Sequence, residues 1–291
     1  KSAAMLMAHP EIDYLVCLEG ACPNGVGLTI EEMGLVGKVN ALAIDLQPGT
    51  IDYIKSGVIW ASFTQSYYNI DGGGVTAAEV ILDYINDGIE PPSFIDSGYN
   101  FWTVENVDEY GAEDAVAAEE DWSDKLVVYV TPLLSMSPDW SRSHDAFMNA
   151  AREYGFEGRV VGPNEINIEE MVADIETAIA EGADGIMTCP LVPEAFEEVL
   201  QKARDAGILV VNVMADCCED NRLTFIGTDP VALGQAQAEA VIDHSGGEAK
   251  VGIIMTDATT PNQKAELEMF IETIEDTGVE LVDIQYDHSQ V

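Results

Sequence analysis

A short apolar run, a turn marked by glycine or proline, and a segment of helical period recur along this chain. The repeat is roughly 25–35 residues, the spacing of βαβ units, and it restricts the fold to a mostly parallel sheet with helices on its faces. The pattern is clearest in the second half. Lys125–Val130 is an apolar strand, followed by the loop Pro132–Asp139. Arg142–Tyr154 is a helix with Phe147, Ala150, Ala151 and Tyr154 on one face, stopped by Gly155. Strand Arg159–Gly162 leads to helix Ile168–Ala180, where Met171, Ile175 and Ile179 recur one turn apart and Gly182 follows. Strand Gly185–Thr188, helix Glu194–Ala206 and strand Ile208–Met214 continue the alternation.

A second run then begins. Leu223–Ile226 leads into Gly227-Thr228-Asp229, with Asp229 placed to cap helix Val231–His244 and Pro230 in its first turn. Strand Lys250–Met255, helix Gln263–Thr277 and strand Glu280–Gln285 follow. The N-terminal half reads as helix 1–8, strand Tyr14–Leu18, helix 28–34, strand Asn40–Ile44, helix Gly49–Ser56, strand Trp60–Gln65 and helix Gly73–Asn86. Short extended pieces are expected at Phe94–Asp96 and Asn100–Thr103. Residues 108–124, DEYGAEDAVAAEEDWSD, read as a linker or a loose helix. LVDIQYDHSQV at the C-terminus is a strand entering a turn, and KSAAMLMA at the N-terminus is the end of a helix. Joined, they make one βαβ unit, so the expected element order is a circular permutation of a two-lobe α/β protein.

Charge excludes two classes of partner. Lys plus Arg number 12 against 53 Asp plus Glu, a formal charge of -41. Nucleic-acid binding depends on cations that neutralise phosphates, and docking on anionic lipid has the same need. Acids spread over nearly every helix suit a salty, halophilic setting where screening reduces self-repulsion, or simply an acidic soluble protein. No apolar run is long enough to span a bilayer, and no leader sequence is visible. The five cysteines, Cys17, Cys22, Cys189, Cys217 and Cys218, lack the spacing of a disulfide scaffold or a zinc site. Cys189 follows a strand, as Cys217 does; a disulfide between them and buried free thiols both stay open.

Ligands of open parallel sheets bind beyond the carboxyl ends of the strands. Trp140 opens a helix there and either stacks on a flat ligand or packs in the core. Asp45 ends the strand ALAID, where its carboxylate accepts hydroxyl hydrogen bonds or caps the next helix. Gln65 ends WASFTQ and offers both amide groups, or is a satisfied turn residue. Glu19, Asp139 and Asp216 add acids suited to a polyol or a cation. Asn262, at a helix start, either caps or touches ligand. Nothing points to catalysis or to a cofactor: there is no G-x-S-x-G elbow, no Walker loop and no G-x-G-x-x-G. His9, His144, His244 and His288 stand at no metal-ligand spacing.

The segments LVVYVTPLLSMSPDW, GADGIMTCP, DAGILVVNVMAD, FIGTDPVALG, AHPEIDYLVCLEG, NALAIDLQPGTIDYIKSGVIWASFTQ and ENVDEY together resemble the type I periplasmic substrate-binding proteins. The closest branch is the ribose/galactose-type sugar-binding one of ABC uptake systems. The resemblance spans nearly the whole chain once it is rotated to begin at Lys125. It implies two Rossmann-like lobes with parallel sheets, joined by a three-segment hinge near 228–230, 64–67 and 96–101. One lobe would comprise 125–228 and 66–96; the other 229–291 and 1–65, with 97–110 as crossover and tail and 111–124 as a linker over the former termini.

Carried over by position, the first-loop contacts fall on Ser137, Asp139 and Trp140. Cys189-Pro190 stands where the family has asparagine-proline. The charged pair after the fourth strand falls at Met214–Asp216, without its arginine. Thr228 marks the first crossover, Asn262 or Lys264 stands near a second arginine, and Glu19 replaces an asparagine. Asp45 and Gln65 match well. The resemblance implies a monomeric, non-enzymatic binder of a small carbohydrate or similar polar solute, closing two lobes around it and delivering it to the permease of an ABC transporter. Its place would be periplasmic or extracellular, with a lipid anchor in the precursor as one option. The alternatives are the effector domain of a transcription regulator, a sensor built from a binding protein, or an enzyme on the same scaffold.

Overall fold

A computed structural model describes residues 1–69, 72–110, 124–134, 138–256 and 261–286. In chain order the elements begin with α1 (Ser2–Ala8), β1 (Tyr14–Cys17), α2 (Pro23–Glu32), β2 (Asn40–Ile44), α3 (Pro48–Lys55) and β3 (Ala61–Gln65). Then come α4 (Gly73–Asp87), β4 (Phe94–Asp96), β5 (Tyr99–Thr103), β6 (Leu126–Val130), α5 (Pro138–Tyr154) and β7 (Glu157–Val161). They are followed by α6 (Ile168–Glu181), β8 (Gly185–Thr188), α7 (Pro193–Asp205), β9 (Leu209–Val213) and β10 (Thr224–Gly227). The last are α8 (Pro230–Ser245), β11 (Glu248–Met255), α9 (Pro261–Ile274) and β12 (Gly278–Tyr286).

The chain divides into two compact units. The first is Lys1–Thr64, Tyr99–Ala112 and Asp229–Val291; the second is Gln65–Gly98 and Glu113–Thr228. Each holds a six-stranded sheet. The order in the second unit is β4-β10-β9-β8-β6-β7, and in the first β12-β11-β1-β2-β3-β5. The pairs β6–β7, β6–β8, β8–β9, β9–β10, β11–β12, β1–β11, β1–β2 and β2–β3 are parallel. In the second unit, strands taken in chain order fall in space as second, first, third, fourth, fifth, a doubly wound arrangement. The first unit gives the same arrangement when its strands are read β11, β12, β1, β2, β3.

Burial on both faces explains the apolar strands. Along β6, Val127 and Tyr129 face Phe147 and Phe156 on one side, while Val128 and Val130 join Met171, Ile175 and Phe196 on the other. In the first unit, Leu15, Val16, Leu42 and Ile253 pack with Met5, Ile30 and Phe270. Gly182 stops α6 as read, in the left-handed region with φ of 77°, and Gly246 caps α8 in the same way with φ of 73°. Asp229 accepts the amide hydrogens of Val231 and Ala232.

Two readings change. The helix expected at 28–34 begins at Pro23 instead. Gly27 within it is a packing residue, because a Cβ there would stand 2.4 Å from the Tyr53 ring. Tyr154, assigned to the buried face of α5, is 40% exposed and its hydroxyl donates to Glu79. The five-residue stretch after β12 and residues 111–123 of the expected linker lie outside the described residues.

Candidate ligand-binding faces

In the first unit the polar residues gather at the carboxyl ends of β1 and β2. Asp45 follows β2 with φ of 63°, the left-handed region that non-glycine residues seldom occupy. Its N–H donates to the Phe63 carbonyl at 2.7 Å, and Ser62 Oγ donates to its carbonyl at 3.1 Å, so the strained backbone is held from β3. Its carboxylate lies over Gly20, where a Cβ would come within 2.6 Å of Oδ2. A side chain at position 20 would have to displace that carboxylate. Glu19, 9% exposed, accepts the Ala21 amide hydrogen at 2.9 Å. A chain of side chains braces the ground beneath: Gln47 donates to the Gly20 carbonyl, Asn24 to Gln47, and Thr50 to Asn24, each at 3.2 Å.

Glu266 in α9 is a buried carboxyl, 5% exposed, that sequence reading passed over. Burial pushes its pKa up to about 8, and the neighbouring Asp45 charge adds to the rise. The Gln237 amide pulls the other way, although neither of its polar atoms reaches hydrogen-bonding geometry. A signal was present: Glu266 sits one turn before Phe270, which is fully buried, so both share the inward face of α9. The general abundance of acids hid it. Asn262, in the first turn of α9, is exposed.

In the second unit Met214 follows β9 with φ of 60°, and its N–H donates to the Ile226 carbonyl of β10 at 3.0 Å. This is the position Asp45 holds in the first unit: tip of the fourth strand, left-handed, bonded to the fifth. Cys189 at the tip of β8 is buried, its thiol pushed up to about 12 by burial. Thr228 beyond β10 donates to the Gly98 carbonyl at 2.9 Å and stands 3.3 Å from Ser97 Oγ. Trp140 meets Tyr68 edge-on at 5.7 Å and is half-buried. Gln65 ends β3 half-buried, with no side-chain hydrogen bond recorded among the described residues.

Asp216 is occupied by its own neighbours. Arg222 forks onto both of its oxygens at 2.6 and 2.7 Å, and Asn212 donates to Oδ1 at 3.2 Å. His144, at about 4, is neutral at physiological pH because burial disfavours its cation; it bonds Thr131 Oγ1 at 2.9 Å. Ser137 and the side chain of Asp139 lie outside the described residues. Among the described residues no group of three His, Cys, Asp or Glu is placed to hold a metal ion. None of their helices is long and apolar enough to cross a membrane.

Two doubly wound parallel sheets, each carrying its polar residues at strand tips, define a ligand-binding α/β class. The periplasmic binding protein domain model matches residues 127–290, more than half of the chain, and the chain belongs to that family. Solved structures are similar to it. An arabinose binding protein from Geobacillus stearothermophilus is 25% identical, with a TM-score of 0.53 over 57% of this chain and 57% of that one. A sugar ABC transporter protein from Actinomyces odontolyticus is 28% identical, with a TM-score of 0.52 over 59% of this chain and 56% of that one. A glucose-galactose binding protein from Geobacillus stearothermophilus is 26% identical, with a TM-score of 0.50 over 57% and 60%. The match thus spans less than two thirds of those structures. No curated protein matches.

Proposed function

We propose that this chain binds a small polar solute, a sugar or sugar-like polyol, through residues at strand tips, and delivers it to an ABC uptake transporter from the periplasm or the cell exterior. The observation that carries this reading is the paired strain at Asp45 and Met214. Backbone held in the left-handed region persists where a side chain must be aimed, and here it recurs at the same strand tip of both sheets. Asp45 and Glu19 are acceptors suited to hydroxyl donors. Gln65, Trp140, Thr228, Cys189, Ser137, Asp139, Asp216 and Asn262 are the further candidates. The reading is non-catalytic: affinity, not turnover, is the output. The ribose/galactose-type branch is the finer assignment we favour, from the resemblance of the sequence segments around Asp45 and Gln65 to it.

Thermal unfolding across a panel of pentoses, hexoses and polyols tests the reading. A solute held by the native state at a hundred times its Kd stabilises by about 2.7 kcal/mol. Asp45→Asn is expected to remove most of that stabilisation. A panel widened to amines and nucleosides that shifts nothing would sink the proposal.

We also propose that the element order is a circular permutation. Its support is the shared strand order, which the first unit reaches only when β12 is read as leading into α1 and β1. A family match that runs from 127 to 290 is what a comparison in sequence order would follow on one side of such a cut. A re-ordered chain, 125–291 joined directly to 1–110, is expected to fold with the same circular dichroism and ligand profile. A re-ordered chain that stays unfolded would overturn the permutation and leave the ligand panel unaffected.

A further inference from the structure

Cys217 and Cys218 are adjacent in the loop after β9, and their sulfurs stand 2.7 Å apart. Neighbouring side chains of an extended chain point to opposite sides. Here Cys218 takes φ of 56° and ψ of 49°, left-handed for a residue with a Cβ, and both sulfurs come together. The surrounding bonds fix that loop. Asn212 donates to the Cys217 carbonyl at 2.8 Å and to Asp216 at 3.2 Å. Arg222 forks onto Asp216 and donates to the Ser93 carbonyl at 2.8 Å. The Asn221 amide donates to the Cys218 carbonyl at 2.7 Å, and Arg204 donates to the Asp220 carbonyl at 2.8 Å. Both cysteines are half-buried, whereas Cys17, Cys22 and Cys189 are buried.

We propose that Cys217 and Cys218 form a reversible thiol–disulfide switch that takes a small-molecule disulfide as its oxidant. The thiolate of one cysteine attacks a sulfur of the oxidant and expels one small thiol. The second cysteine, after losing its proton, attacks the mixed disulfide and expels the other. The pair loses two electrons and two protons, and the small disulfide becomes two thiols. The ring that closes is strained: adjacent Cα atoms are roughly 3.8 Å apart across a trans peptide. Ordinary disulfides span about 4.4–6.8 Å. Strain of this kind makes a bond easy to reduce, which suits a switch and not a staple. Burial raises the Cys217 thiol, so closure is slow unless the loop opens toward solvent.

The test uses the full chain incubated with oxidised glutathione and read by intact mass and thiol titration after denaturation. The expected result is a mass lower by two hydrogens and a thiol count that falls from five to three, both reversed by dithiothreitol. Cys217→Ser and Cys218→Ser, each lacking the resolving sulfur, are expected instead to gain one glutathione and keep it. Circular dichroism of both variants confirms that they are folded. Wild-type chain that keeps five thiols under conditions that oxidise a simple cysteine peptide would overturn the proposal. So would a stable glutathione adduct or a covalent dimer in place of the lost hydrogens.

Discussion

Replacing Glu266 by glutamine keeps the volume of a buried side chain and removes one ionisation. In the folded wild type this carboxyl ionises only near 8, against an ordinary 4.5 in the unfolded chain. Below 4.5 both states are protonated and the residue contributes its full share to stability. Between 4.5 and about 8 the unfolded chain is ionised while the native chain keeps its proton, so stability falls as pH rises. The slope is about 1.4 kcal/mol per pH unit, and the loss over the whole window is about 5 kcal/mol. The glutamine variant has no such loss. The difference between variant and wild type is therefore expected to grow from pH 5 to pH 8, reaching about 3 kcal/mol in favour of the variant at pH 7. Urea unfolding of both chains at a series of pH values measures it, and the many exposed acids cancel in the difference. In an Asp45→Asn background the rise is expected to start at the same pH, end at a lower one and be smaller, because the Asp45 charge adds to the raised ionisation of folded Glu266. A difference that is flat with pH, or that shrinks as pH rises, would refute the reasoning.

Gly234→Ala places a Cβ 2.2 Å from the Glu266 carbonyl oxygen and forces α8 from α9; a loss of about 1–3 kcal/mol in urea melts is expected. Arg222→Lys removes the fork onto Asp216 and cannot replace both bonds, so a loss of about 1.5–3 kcal/mol is expected by the same measurement. With a formal charge of -41, the chain is expected to melt at higher temperature as sodium chloride rises from low millimolar to molar, and a melting temperature indifferent to salt would remove repulsion from the account.

Local chemistry made much of the fold readable. Asp229 and Pro230 mark the start of α8, and the structure uses each of them so. The apolar strands β6 and β8 could be read because both their faces are buried, which leaves no polar alternation to confuse the period. The misread helix start at Pro23 shows the limit. Gly25 and Gly27 look like a loop until Tyr53, from an element distant in sequence, is seen to require the missing side chain at Gly27. The same limit applies to the sites. Asp45 was visible as an acid at a strand tip; its left-handed backbone was not, because β3 imposes it. Asp216 was read as an acid suited to a polyol or a cation, and the structure pairs it with Arg222, six residues on.

The two matched strand tips also show how one scaffold can present different chemistry on its two faces. In both units the backbone turns left-handed after the fourth strand and its N–H is spent on the fifth, so the next side chain is aimed by the sheet itself. In the first unit that side chain is a carboxylate, set beside the buried Glu266 and over a glycine. In the second it is a thioether, followed by an acid paired with arginine and then by two cysteines. Geometry is repeated and charge is not. The strand tip of the first unit thus offers a carboxylate acceptor, and that of the second a thioether beside an ion pair. Because the Asp45 charge adds to the rise that burial imposes on Glu266, a ligand that draws on the Asp45 carboxylate is expected to shift the titration of Glu266, measured by the pH dependence of unfolding with and without that ligand.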